Sequence, residues 1–124
     1  MAMLEQIKKA VLVTGSRGLL GGALCAELEK AGHQAILFEG DICDTENVDR
    51  YRKKPGPQWI IHAAALTNLQ ECEADPAQCF RVNVQGTRNM RELANDLDAR
   101  ILYVSTVSVF SGIEGGYKET DIPY

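Results

Sequence analysis

The sequence has no long hydrophobic run, few aromatic residues and no excess of positive charge. No apolar segment approaches the roughly 20 residues of a membrane-spanning helix, so we expect no membrane association. The N-terminal segment MAMLEQIKK lacks the apolar stretch of a secretory signal peptide. A formal net charge of −4 argues against nucleic acid as the main partner. These absences together predict a cytoplasmic protein.

The four cysteines form neither a C-x-x-C pair nor a zinc-binding spacing with either histidine. This predicts that the protein binds no metal ion. It also predicts that the thiols of Cys25, Cys43, Cys72 and Cys79 are reduced and partly buried. With 124 residues, of which 45% are hydrophobic and 24% are charged, the chain is long enough for one globular domain.

A glycine-rich turn near the N-terminus is the most informative segment that is present. In AVLVTGSRGLLGG, residues 10–22, a short apolar strand leads into Gly15, Gly18 and Gly21, and an apolar helix follows. Unpaired amides and the dipole at the start of that helix favour an anion such as a pyrophosphate. The segment therefore predicts a dinucleotide-binding turn, although glycines required only by turn geometry are the alternative. The other candidate contacts within it are Ser16, Arg17, Leu19 and Leu20.

Apolar strand-like runs alternate with helical patterns along the chain. This order is typical of an α/β fold with a doubly wound parallel sheet and flanking helices. The polar, glycine-rich end of the chain has no closing helix or strand, so we expect the first part of a longer fold, incomplete at the C-terminus. The predicted strands are Ala10–Thr14, Ala35–Phe38, Trp59–His62 and Ile101–Ser105, and the predicted helices are Leu19–Ala31, Thr45–Tyr51 and Ala77–Leu97.

Acidic residues follow the second predicted strand. Glu39 lies at the distance from the glycines at which a carboxylate commonly bonds the adenosine ribose, which favours NAD. Arg17, in the glycine turn, would pair with a 2′-phosphate and favours NADP, so the choice between the two stays open. Asp41 and Ile42 are candidates to flank the adenine. Asp44 is better interpreted as a helix cap.

Small and hydroxyl side chains follow the third and fourth strands. Ala63–Ala65 would let a cofactor lie against the backbone, although ordinary packing of small residues is equally compatible. His62 is more often a structural, hydrogen-bonded histidine at such a position than a catalytic base. Asn83, on an apolar helix face, is usually satisfied by local backbone. Ser105 and Thr106 would bond a substrate carbonyl, or simply end the strand through backbone bonds.

Taken together, these segments resemble the extended short-chain dehydrogenase/reductase family, and most closely its dTDP-4-dehydrorhamnose reductase branch. The resemblance implies a Rossmann-like fold, a bound NAD or NADP and a nucleotide-sugar substrate. It leaves open a related epimerase or dehydratase, or a binding protein that holds NAD(P) without turnover. A homodimer of the intact protein is possible under it. The matching segments, in order, are TGSRGLLG, DICD, HAAALT, VNVQGTRN, YVSTVSVFSG and YKETDIP.

The same resemblance implies roles for individual residues. The catalytic set of the family is a Ser or Thr with the Tyr and Lys of Y-x-x-x-K. The 124 residues contain no Y-x-x-x-K, which would fall just beyond Pro123, so we expect this chain alone to be inactive. Thr106, with Ser105 as the alternative, matches the catalytic hydroxyl. The cofactor positions are Gly15, Gly18 and Gly21 at the diphosphate, Asp41 and Ile42 at the adenine, Ala63, Ala64 and Ala65 at the nicotinamide-side ribose, and Asn83 on the following helix.

Overall fold

The computed structural model describes residues 8–124 and contains a four-stranded parallel sheet of order β2-β1-β3-β4. β1 pairs with β2 on one side and with β3 on the other, and β4 extends the sheet beyond β3. The predicted Rossmann-like α/β class is therefore confirmed. The strands are β1 Ala10–Thr14, β2 Gln34–Leu37, β3 Trp59–His62 and β4 Arg100–Tyr103.

Five α-helices connect the strands in the described part of the chain. They are α1 Leu19–Lys30, α2 Thr45–Asp49, α3 Leu69–Ala74, α4 Pro76–Phe80 and α5 Gly86–Leu97. A π-helical segment, Arg81–Gln85, joins α4 to α5, and a short 3₁₀ turn spans Val107–Val109. None of the described helices is long and apolar enough to cross a bilayer.

Most element boundaries agree with the sequence patterns to within two residues, but two regions differ. Helix α3 is not among the predicted elements, because its six residues are too few for a helical period to be visible and none of them is buried. The helix predicted over 77–97 is interrupted by the wider π turn. The fourth strand ends at Tyr103 rather than Ser105, because Val104 makes the last backbone bond to β3, at His62.

The two faces of the sheet are covered by different helices. Leu12 and Ile60 are fully buried and pack against Met90 and Leu93 of α5. Side chains alternate along a strand, so Val11 and Val13 point to the opposite face, on the side of α1. Helices on both faces leave the carboxyl ends of the strands free, which is where ligands bind in open parallel sheets.

The expectation that all four thiols are reduced is wrong for two of them. A disulfide joins Cys72 of α3 to Cys79 of α4, with their Cα atoms 5.0 Å apart. Cys25 and Cys43 are free. The pairing of Cys72 with Cys79 was not predictable without α3, because the break at Asp75 between α3 and α4 brings the two helices together.

Candidate functional site

A cleft of about 540 Å³ opens at the carboxyl ends of β1, β2 and β3. Three backbone segments and one side chain line it. The segments are the glycine turn at 15–18, residues 38–42 after β2 and residues 63–65 after β3, and the side chain is Val82 of the π-helical segment. The structure thus brings together most of the residues predicted to contact a cofactor.

The floor of the cleft is a turn that needs glycine at two positions. Gly15 has a φ of +67°, and a Cβ there would lie 2.9 Å from backbone atoms of Ala63 and Ala64. A Cβ on Gly21 would lie 2.0 Å from the carbonyl oxygen of Gly15. The amide of Gly18 donates to that same oxygen at 2.9 Å and closes the turn. Bare backbone therefore faces the cleft, as close approach of a diphosphate requires.

The first turn of α1 presents unpaired amides to the cleft. Gly18 is the N-cap, no side chain caps the helix, and no acidic residue lies in the first turn. An uncapped helix start without a carboxylate is a favourable position for a phosphate. Leu19 is 97% exposed and Leu20 is half exposed, and neither lines the cleft. Gly21 does not line the cleft either, and it packs beneath the turn, against the Gly15 carbonyl.

The end of β2 is fixed by a residue that the sequence analysis did not single out. The Tyr51 hydroxyl accepts a bond from the Glu39 amide at 2.8 Å and donates to the Leu37 carbonyl at 3.2 Å. Its ring stacks on Phe38. Glu39 is held so that its carboxylate lies 3.8 Å from the guanidinium of Arg17, and both side chains are largely exposed. These opposite charges stand together at the mouth of the cleft.

Asp41 is held by two partners. Its carboxylate accepts a bond from the Cys43 amide at 2.8 Å and forms an ion pair with Arg81. Partial burial raises the pKa of Asp41, but the bonds from the Cys43 amide and the Arg81 guanidinium outweigh it and lower the pKa below its ordinary value. The sequence pattern gave no signal for Arg81, because its orientation depends on the π-helical turn.

Buried groups fix the position of Ile42 in the lining of the cleft. The Asn89 side chain donates to the Ile42 carbonyl at 2.8 Å. A Cβ on Gly86 would lie 2.5 Å from the Ile42 Cδ1 atom, so the glycine in this helix leaves room for that side chain. The expected helix cap at Asp44 is confirmed, because its side chain accepts from the Glu46 amide.

A buried hydrogen-bond chain crosses beneath the cleft and passes through His62. The Ala64 amide donates to the Thr14 hydroxyl at 3.1 Å, and that hydroxyl lies 2.7 Å from His62 Nδ1. On the other side, His62 Nε2 lies 3.0 Å from the Thr87 hydroxyl, which itself donates to the Asn83 carbonyl. Since Thr87 uses its proton on that carbonyl, Nε2 carries the ring proton and Nδ1 accepts from Thr14. His62 is thus the buried, hydrogen-bonded histidine that its position predicted.

Acid should destabilise the fold through His62. Burial lowers the pKa of His62, so the unfolded chain binds the proton more readily than the folded chain. The stabilisation that neutral His62 contributes is therefore complete above the unfolded pKa of about 6.5 and is lost as the pH falls below it. We expect urea midpoints to decrease between about pH 7 and about pH 5.5. A His62→Leu variant should show a smaller decrease over the same interval; an equal decrease would contradict this origin.

Asn83 lies behind the wall of the cleft, and it reaches a distant segment of the chain instead of its own helix. Its side chain accepts from the Leu66 amide at 2.8 Å and donates to the Leu66 carbonyl at 2.9 Å. It therefore holds the segment that begins with Ala63–Ala65, and it does not itself line the cleft.

Ser105 and Thr106 lie outside the lining of this cleft, in an exposed groove formed with Phe110 and Tyr117. Thr106 accepts a bond from the Ser108 amide at 3.1 Å and caps the 3₁₀ turn. Within residues 8–124, no cluster of three or more histidine, cysteine, aspartate or glutamate side chains is placed to hold a metal ion.

Known proteins share both the sequence and the fold. The chain is 37% identical to dTDP-4-dehydrorhamnose reductase of Aggregatibacter actinomycetemcomitans, covering 90% of this chain and 40% of that protein. It is 30% identical to methionine adenosyltransferase 2 subunit beta of Rattus norvegicus, covering 93% and 37%. The crystal structure of dTDP-4-dehydrorhamnose reductase from Bacillus anthracis str. Ames in complex with NADP superposes with a TM-score of 0.86 and 31% identity, covering 99% and 44%.

These matches confirm the resemblance to the reductase branch. The chain spans 40% or less of the length of the two curated relatives. A family model described as the RmlD substrate binding domain matches residues 9–124. The chain therefore belongs to the RmlD substrate binding domain family.

Proposed function

We propose that this chain is the NAD(P)-binding part of an oxidoreductase that acts on a nucleotide-linked sugar, as a dTDP-4-dehydrorhamnose reductase does. The single observation that carries the proposal is the cleft at the carboxyl ends of β1, β2 and β3, with bare glycine backbone on its floor. The similarity to reductases over nearly the whole chain supports it.

The residues present fit a dinucleotide along the whole cleft. The uncapped start of α1 and the glycine turn would hold the diphosphate, and Asp41 with Ile42 would flank the adenine. Ala63–Ala65 would lie against the nicotinamide-side ribose. When bound, the cofactor supplies the hydride of the reduction. Thr106, or Ser105 in its place, would orient the sugar oxygen in the intact protein.

The Arg17 and Glu39 pair should determine the choice between NADP and NAD. Arg17 would release Glu39 and pair with a 2′-phosphate, whereas Glu39 would accept from an unmodified 2′-hydroxyl and repel the phosphate. We expect Arg17→Ala to weaken NADPH binding about tenfold and to change NADH binding by about twofold or less. Glu39→Gln should strengthen NADPH binding by a few-fold.

Isothermal titration calorimetry of the chain with NADPH and with NADH measures these affinities. Arg91→Ala, which removes an exposed arginine of α5 outside the cleft, is the matched control and should leave both affinities unchanged. If neither nucleotide binds up to millimolar concentration, the proposed function is wrong for this chain. Equal losses of NADPH and NADH binding in Arg17→Ala would remove only the specificity assignment.

A regulatory, non-catalytic role is the second candidate. The observation that favours it is the similarity to a subunit named for methionine adenosyltransferase. Under either proposal the chain binds NAD(P) but does not oxidise it. An assay of the intact protein with NADPH and a nucleotide-linked 4-ketosugar distinguishes the two roles. Turnover is measured as the loss of absorbance of the reduced nicotinamide.

A further inference from the structure

The disulfide lies against the segment that forms one wall of the cleft. The Cys72 sulfur is 3.6 Å from the Leu66 carbonyl oxygen. The Cys79 sulfur accepts a bond from the Asn83 side chain at 3.4 Å. Both sulfurs therefore contact the Leu66–Asn83 pair, whose two hydrogen bonds hold the end of the wall that begins with Ala63.

Helix α3 has little else to fix it, whereas α4 continues directly into the π-helical segment. Neither α3 nor α4 has a buried residue. Asn68 caps the start of α3, and Asp75 is both the C-cap of α3 and the N-cap of α4. Because hydrophobic burial contributes so little here, the covalent link is the main restraint on the position of α3 relative to α4.

The other two thiols are poorly suited to the same chemistry. Burial, with a smaller contribution from Glu29, raises the pKa of the Cys25 thiol. Burial and the charge of Asp41 raise the pKa of Cys43. A thiol that is mostly protonated reacts slowly with disulfides. Oxidation should therefore be confined to the pair whose Cα atoms lie within bonding range.

We propose that Cys72 and Cys79 form a reversible thiol–disulfide site that controls the affinity of the cleft for NAD(P). This inference rests on the proposed function. In the oxidised chain the link holds α3 in place and the wall is ordered for binding. In the reduced chain α3 is released, so ordering the Leu66 segment costs part of the binding free energy.

A low-molecular-weight disulfide such as glutathione disulfide is a sufficient oxidant. One cysteine thiolate attacks it, forms a mixed disulfide and expels one glutathione thiolate. The second cysteine thiolate then attacks the protein sulfur of that mixed disulfide and expels the other. Two electrons pass from the cysteine sulfurs to the oxidant, and the two protons of the cysteines end on two molecules of glutathione. A dithiol reductant reverses both steps.

The test compares the same chain after dithiothreitol and after glutathione disulfide, with both reagents removed. Thiol titration under denaturing conditions should count all four cysteines in the reduced chain and Cys25 and Cys43 alone in the oxidised chain. Calorimetry should show NADPH binding about fivefold tighter in the oxidised chain. Cys72→Ser should bind like the reduced chain under both treatments, and Cys25→Ser, the matched control, should respond like the parent.

Each outcome of this test is decisive. Four thiols after oxidation, or equal NADPH affinity in the two states, would overturn the inference and leave the proposed function intact. Tighter binding after reduction would also overturn it. An absence of NADPH binding in both states would overturn the inference and the proposed function together, whereas NADPH binding that is tighter in the oxidised state supports both.

Discussion

Replacing Gly21 with alanine should destabilise the chain by at least about 3 kcal/mol and weaken NADPH binding about 100-fold. The new Cβ would lie 2.0 Å from the Gly15 carbonyl oxygen and 2.6 Å from its carbon, both of which are backbone atoms. The turn cannot yield by a side-chain rotation, so α1 must move away from β1. The amides at the start of α1 would then no longer point into the cleft. Urea unfolding, monitored by Trp59 fluorescence, measures the loss of stability, and calorimetry measures the loss of NADPH binding.

Gly22→Ala is the matched control, since it adds the same methyl group one residue further along the helix. Its Cβ would lie 3.4 Å from the Ser16 carbonyl oxygen, an ordinary contact. Alanine is a better helix former than glycine, so this variant should be unchanged or more stable by up to about 1 kcal/mol. Similar losses in the two variants would show that packing against Gly15 is not the cause.

His62→Leu should lower the free energy of unfolding by about 3 kcal/mol. Leucine fills a similar volume but leaves the Thr14 hydroxyl, which is fully buried, without the ring nitrogen that accepts its proton. A buried hydroxyl proton without an acceptor carries a desolvation cost. Because Thr14 also accepts from the Ala64 amide, the two walls of the cleft should loosen together, and NADPH binding should weaken with stability.

Thr87→Val separates the two ends of the same hydrogen-bond chain. It removes the acceptor of His62 Nε2 and keeps the bond between Thr14 and Nδ1. We expect a loss of about 1 kcal/mol in urea unfolding, clearly smaller than that of His62→Leu. A loss as large as that of His62→Leu would place the main contribution at Thr87 of α5 rather than at Thr14.

The parts of the fold that were predictable are those governed by local periodicity. Apolar residues on both sides made β1 and β3 recognisable as strands of a parallel sheet, and the glycine spacing marked the turn before α1. Glu39 was singled out because chain distance from the glycines has physical meaning when a strand and its following turn have nearly fixed lengths.

The residues that support the site were not predictable in the same way. Tyr51, Arg81 and Asn89 each bond to a segment far away in the sequence, so their roles follow only from the folded arrangement. Asn83 had a local interpretation available, yet its partner is Leu66, 17 residues away. Side-chain contacts at such separations depend on tertiary structure, which periodicity and propensity do not encode.

The π-helical segment also affects how the helical region from α4 to α5 should be aligned with that of relatives. Its five residues make a wider turn than the α-helix on either side, so they shift the angular phase of α4 against α5. A helical wheel drawn with one continuous period through both would assign Arg81 and Val82 to the wrong side. Removing a single residue between 81 and 85 would therefore change the angular relation of Val82, which lines the cleft, to α5.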